Sequence, residues 1–431
     1  MAGQEGQAGA TARPVNRRTI VAGAIGNALE WYDFAIYGYF APVIAAQFFP
    51  TGDPATALVA TFGVFAGGFL MRPIGGLVIG HLGDSLGRRA ALTVSVCLMA
   101  VPTALIAVLP GHAAIGLAAP VLLTFLRLLQ GLSVGGEYTG SIAFLYENAA
   151  TRRRGLVTSI ALTSAIGGIL LGSATGAVVD GLLTVAQVDD WGWRLPFAFG
   201  LVLALFALVL RRGMAGGVDL LVAEAEEPPP LPIVEALRDH WRAMLQVVGI
   251  NLGLGAAFYI MFVYLTTYLW KVVGEGEDVA LEINTASLAL LAVAVPLFAW
   301  LSDRVGRRPL LVAGALALLL GIWPLFWVIH HPDPGLSLAG QLGFAFLFGI
   351  FVGPIPATMC ALFPHRVRCS AISVSYNLPL ALFGGTAPMV AAWLIVRTGA
   401  DLSPAWYLTA CAAISLAAVL TLKKGAVEER G

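Results

Sequence analysis

Charge is what this sequence has least of. Asp, Glu, Lys and Arg make up 12% of its 431 residues, about half their share in an average soluble domain. With 58% hydrophobic residues and a mean hydropathy of +0.84, a soluble core of this size cannot hide the apolar surface, so the bilayer must act as solvent. The formal net charge is zero, which leaves no basic footprint for a nucleic acid. Cysteine is sparse. Cys97, Cys360, Cys369 and Cys411 show no metal-ligand spacing and lie mostly in apolar stretches, as packing residues do. A Walker loop, an HExxH pair and a supported Ser/His/Asp set are all missing, which excludes an ATP-driven pump and the common membrane hydrolases and calls for no cofactor or metal. No convincing cleavage site follows Arg13, Arg17 and Arg18, and the first apolar run far exceeds signal-peptide length, so it reads as an uncleaved span.

Long apolar runs, by contrast, are abundant. Twelve of spanning length recur, at about 19–46, 57–81, 89–109, 114–146, 155–180, 194–212, 243–271, 281–301, 309–329, 336–362, 369–397 and 404–422. The fold class this predicts is all-α and integral to the membrane. The 50 glycines suit close helix contact in lipid. Pro102, Pro296, Pro324, Pro354, Pro356, Pro379 and Pro388 mark candidate kinks, tolerated where neighbouring helices re-satisfy the backbone. Trp193, Trp270, Trp323 and Trp406 are expected in the interfacial belts.

An even number of spans puts both termini on one side. The loops of that side carry Arg88, Arg89, Arg152–Arg154, Arg304, Arg307, Arg308, Arg366 and Arg368, whereas the other side has only Arg194, Lys271 and Arg397. The positive-inside rule then makes the termini cytoplasmic in a bacterial-type inner membrane. Five segments follow: a tail over 1–18, a six-helix bundle over 19–213, a central loop over 214–242, a second bundle over 243–422 and a tail over 423–431. Within the polar loop, residues 233–241 are predicted to form a short amphipathic surface helix.

The chain repeats itself. GHLGDSLGRR (Gly80–Arg89) follows the second span and AWLSDRVGRR (Ala299–Arg308) the eighth, which implies duplicated six-span halves with a substrate site between them near the midplane. The tight turn needs glycine, Gly87 or Gly306. Asp84, Arg88, Arg89, Asp303, Arg307 and Arg308 are candidates for a cytoplasmic gate, with a loop staple as the plainer alternative.

These turns resemble the loop motif of the major facilitator superfamily. RLLQGLSVGGEYTG (Arg127–Gly140) resembles its R-x-x-Q-G motif, and ENAATRRRG (Glu147–Gly155) its acid-then-Arg-Gly loop, which adds Glu137, Glu147 and Arg154 to the gate. The counterpart ALFPHRVR lacks the acid, with Ala361 in its place, which weakens a symmetric latch. GNALEWYDF (Gly26–Phe34), FLMRPIGG (Phe69–Gly76) and DWGWRLPF (Asp190–Phe197) resemble the metabolite:proton symporter group, whose members carry citrate, α-ketoglutarate, shikimate, proline or betaine. The resemblance covers nearly the whole chain. It implies twelve helices in two pseudo-symmetric halves and a monomer.

Charged groups at bilayer depth are costly and so are functional candidates. They are Glu30 and Asp33 in the first span, Arg72 in the second, and Arg127 and Glu137 in the fourth. Counting along the helices predicts a midplane cluster of Asp33, Arg72 and Arg127, with Glu137 nearer the cytoplasm. Asp33 is the expected proton carrier, tuned by Arg127, because moving an Arg away from a carboxylate or desolvating it raises its proton affinity. Glu30 is the rival, and a permanent structural ion pair the plainer alternative. Arg72 is the expected substrate anchor, since guanidinium binds carboxylate bidentately. Arg194 is a second anchor or an outer-rim residue. Asn27, Tyr37, Gln130, Tyr138, Asn251, Tyr259, Tyr376 and Asn377 are further polar candidates, each equally able to serve as an interhelical hydrogen bond.

The leading expectation is proton-coupled symport of a small carboxylate-bearing metabolite, a di- or tricarboxylate or keto acid, by alternating access. An osmolyte carrier for proline or betaine is the alternative within transport; its partners would be a small organic zwitterion, a proton and the bilayer. A non-transporting sensor is the alternative outside transport, and the short tails argue against it.

Overall fold

The computed structural model describes residues 17–50, 53–76, 78, 88–212, 232–423 and 425. Asp84, Gly87 and the segment 214–231 lie outside them, as do the side chains of Arg88, Arg89 and Glu137. Among the described residues all regular structure is helical, in twelve long arms. They are α1 (Arg17–Tyr39, continued by Ala41–Phe48), α2 (Pro54–Gly76), α3 (Arg88–Val108), α4 (Ala118–Asn148), α5 (Thr151–Leu182), α6 (Arg194–Arg212), α7 (Trp241–Val273), α8 (Glu277–Val305), α9 (Arg307–Ile329), α10 (Pro334–Ala361), α11 (Arg368–Thr398) and α12 (Pro404–Leu420). Eight of them are long and apolar enough to cross a membrane, and α3, α6 and α12 carry shorter apolar helices.

The arms follow the apolar runs, with longer ends where polar residues continue the helix. The eighth run, expected at 281–301, is helical over Glu277–Val305. Glu277 and Asp278 sit in its first turn, where acids favour a helix N-terminus, and Gly306 ends it at φ +98°, a backbone region that favours glycine. At the ends opposite the basic loops, Asp53 caps α2 by accepting from the N–H groups of Ala55 and Thr56, and Asp333 caps α10 through Gly335. Each is followed by proline at the first helical position, where its missing N–H costs nothing.

The surface is as apolar as the interior, which also encloses polar groups. Leu117, Leu182 and Trp327 are 77%, 79% and 65% exposed, while Asn27, Arg127, Gln130, Asn251 and Gln341 are fully enclosed. Only a hydrocarbon solvent makes this arrangement favourable. Trp323 and Trp406 are exposed, but Trp193 is fully buried, edge-on to Phe48 and Phe197. It is a packing residue and not a belt residue.

α1 to α6 form one half and α7 to α12 the other. The halves meet along two seams, α5 against α8 and α2 against α11. Several arms break in the buried interior: α1 at Phe40, α4 at Gly135–Gly136 and α10 at Gly353–Pro354. α7 and α11 carry wide turns at Ile260–Tyr264 and Leu380–Gly384, the latter just after Pro379. Irregular backbone survives at membrane depth because these breaks are wrapped in protein.

A glycine seam joins α2 to α4. A Cβ at Gly131 would lie 1.9 Å from the carbonyl oxygen of Gly68, and one at Gly135 would lie 2.2 Å from that of Arg72. Backbone contact this close is possible only without side chains. It fixes Arg72 on α2 and Arg127 on α4 in the middle of the bundle.

The helix Pro232–Asp239 lies where the amphipathic pattern predicts one. It rests on the start of α11, and Glu235 pairs with Arg366 at 3.2 Å.

Candidate functional site

The buried charges form two sets rather than one cluster. In the first, Arg72 on α2 faces Glu30 on α1 at 3.6 Å, and both are buried. Its guanidinium lies 5.4 Å from the ring of Trp31 and 5.1 Å from that of Phe69. Arg72 Nε and Nη2, Trp31 Nε1 and Tyr259 Oη have no hydrogen-bond partner of ordinary geometry. Rings from both halves close over this pair. Trp31 stacks on Tyr259 of α7 with centroids 6.1 Å apart, and Tyr138 of α4 stacks on Tyr376 of α11 at 4.9 Å.

In the second set, Asp33 accepts hydrogen bonds from Thr103 at 2.7 Å and from the Gln130 amide. Arg127 Nη1 donates to Gln130 Oε1 at 2.8 Å. Gln130 therefore stands between acid and base. Arg127 is covered by Tyr37 at 4.3 Å and Phe34 at 4.6 Å, and Tyr37 donates to the carbonyl of Thr61. The expected joint cluster of Asp33, Arg72 and Arg127 is thus corrected. Three residues advance a helix by about 300°, so Glu30 and Asp33 stand about 60° apart and meet different neighbours.

The other candidates divide. Asn377 donates to the carbonyl of Gly135 at 2.7 Å, across the two halves. Asn27 binds Ser141, and Asn251 binds the carbonyl of Val247 and the sulfur of Met359. Arg194 lies away from both charge sets: it donates to the carbonyl of Leu109 at 2.8 Å and lies over Trp193, tying α6 to the end of α3.

At the basic end each half supplies an acid to the other. Asp303 of α8 accepts from the N–H groups of Gly155 and Leu156 at 2.8 and 3.0 Å, capping the first turn of α5, with Arg307 4.0 Å away. Glu147 of α4 pairs with Arg368 of α11 at 2.7 Å and with His365 at 3.3 Å. Arg154, Arg307 and Arg368 all lie over the ring of Tyr146, while Arg308 reaches the carbonyl of Leu420. Trp31, Thr103, Tyr146 and Arg368 were not among the expected site residues. Trp31 stands beside Glu30 in GNALEWYDF, a signal that was available. Thr103 in an apolar run gives none.

Two six-helix halves enclosing charged groups between them define a polytopic membrane transporter of the major facilitator type. The sugar (and other) transporter family matches residues 19–212 and 234–424, and the chain belongs to it. It is 34% identical over 420 residues to the proline/betaine transporter of Salmonella typhimurium, covering 95% of this chain and 84% of the relative. It is equally similar, with the same coverage, to the glycine betaine/proline/ectoine/pipecolic acid transporter of Dickeya dadantii. A crystal structure of a D-xylose–proton symporter matches with a TM-score of 0.72 at 20% identity, covering 94% of this chain and 96% of the other; that likeness is one of fold. The chain is a transporter and not an enzyme.

Proposed function

We propose that the chain is a proton-coupled carrier of a small zwitterionic osmolyte of the proline/betaine kind, working by alternating access. This is the alternative weighed above and not the leading carboxylate expectation. The observation that carries it is Arg72, a buried cation whose Nε and Nη2 make no hydrogen bond of ordinary geometry, enclosed by aromatic rings from both halves. A zwitterion needs a donor fork for its carboxylate and an apolar, electron-rich enclosure for its ammonium. The relatives' names point the same way.

Asp33 is the proposed proton site, with Glu30 as its rival. Protonated Asp33 loses its charge, and the Thr103–Gln130–Arg127 chain can then rearrange. Glu147–Arg368 and the Asp303 cap form the proposed gate. Both must part before the basic end, proposed from its arginines to face the cytoplasm, can open. One chain contains the whole site, so the proposal needs no second copy.

Uptake into proteoliposomes under an inward proton gradient tests the substrate class. The panel is proline, betaine, citrate, α-ketoglutarate, succinate and shikimate. Accumulation of proline or betaine is the expected result; accumulation of a carboxylate alone would overturn the proposal.

A further inference from the structure

Glu30 and Arg72 place one negative and one positive charge 3.6 Å apart in the interior, so the pair itself is electrically neutral. Asp33 and Arg127 have their own hydrogen-bonded chain, and the rings over the pair are uncharged. A 3.6 Å separation is longer than a charge-assisted hydrogen bond of about 2.7–2.9 Å. Arg72 keeps two N–H donors without hydrogen bonds, so it can take a carboxylate without first losing one.

We propose that Glu30 is the specificity-determining residue of this site, holding the cationic end of the solute while Arg72 holds its carboxylate. This rests on the zwitterion reading above and explains how the site would reject a simple anion. A monoanion entering a neutral, desolvated pair leaves a net negative charge, which is expensive at membrane depth. A zwitterion leaves the net charge unchanged and offers each member of the pair a counter-charge of its own. The rings assist: cation–π attraction is worth about 0.5–2 kcal/mol, and Glu30→Gln leaves it in place, so the preference lost in that variant is the share of the carboxylate. Trp31 lies next to Glu30 in sequence and already has a cation, Arg72, over its ring.

The test compares betaine with 3,3-dimethylbutyrate, its isostere with carbon in place of the charged nitrogen. Equilibrium binding of both to the purified full chain is measured by competition with labelled betaine. Wild type is expected to prefer betaine by at least roughly tenfold. Glu30→Gln is expected to bring the two solutes within roughly threefold of each other or to invert their order, and Glu30→Asp to keep the preference. Equal binding of both solutes by wild type would overturn the assignment, as would an undiminished preference in Glu30→Gln. If Glu30→Gln does not fold, the wild-type ratio and Glu30→Asp still decide. Binding of neither proline nor betaine by wild type would bring down the zwitterion reading and this assignment together, an outcome distinct from selective failure of Glu30→Gln.

Discussion

Asp33 and Arg72 carry the account at the scale of single residues. Asp33→Asn retains a hydrogen-bonding side chain but cannot release a proton. It is predicted to abolish accumulation against a gradient while leaving solute exchange across the membrane intact, as read by counterflow. Arg72→Lys keeps the charge and loses the planar fork, so the apparent affinity for solute is predicted to fall roughly tenfold. Arg194→Lys is predicted to leave that affinity unchanged, because Arg194 holds the carbonyl of Leu109 away from the charge pairs. The candidate charges were legible in the sequence because each interrupts an apolar run. Their partition was not: whether Glu30 or Asp33 meets Arg72 depends on the rotation of α1 against α2 and α4, and hydropathy does not encode rotation. The role of Gln130 as the link between Asp33 and Arg127 was hidden for the same reason.

At the scale of elements, the glycine seam is the most exposed part of the design. Gly131→Ala would drive a methyl group into the backbone of α2. Overpacking of this kind costs about 1–3 kcal/mol, so a lowered melting temperature and lost transport are predicted. Gly140→Ala, which meets nothing within 4 Å, is the control and should melt like wild type. The spans themselves were legible, since twenty apolar residues in a row have few other uses. Breaks at Gly135–Gly136, Pro354 and Pro379 had glycine or proline to announce them. The wide turn at Ile260–Tyr264 had neither, because the sequence IMFVY is a good membrane helix and only its packing opens it.

At the scale of the whole molecule, the two halves touch at both ends and in the middle. Beyond the basic end, Tyr39 donates to the carbonyl of Phe262 at 2.9 Å, and the hydroxyls of Ser173 and Thr285 meet at 2.6 Å. Aromatic stacking joins the halves at the centre. The repeat suggested a latch, and the missing acid at Ala361 argued against symmetry. In the structure each half instead contributes one acid by a different route, Glu147 to a guanidinium and Asp303 to a helix N-terminus. Hydrogen bonds to charged groups contribute about 1.5–3 kcal/mol. Glu147→Gln is therefore predicted to shift the population toward an open basic end by roughly tenfold, seen as longer distances between spin labels placed on the α4–α5 and α10–α11 loops.

On the proposed mechanism a zwitterion and a proton cross together through this one chain. The direct measurement is the internal pH of proteoliposomes when betaine or proline is added outside with no imposed gradient. The interior is expected to acidify with wild type, whereas Asp33→Asn exchanges the solute without acidification. Solute entry through wild type with no change in internal pH would contradict it.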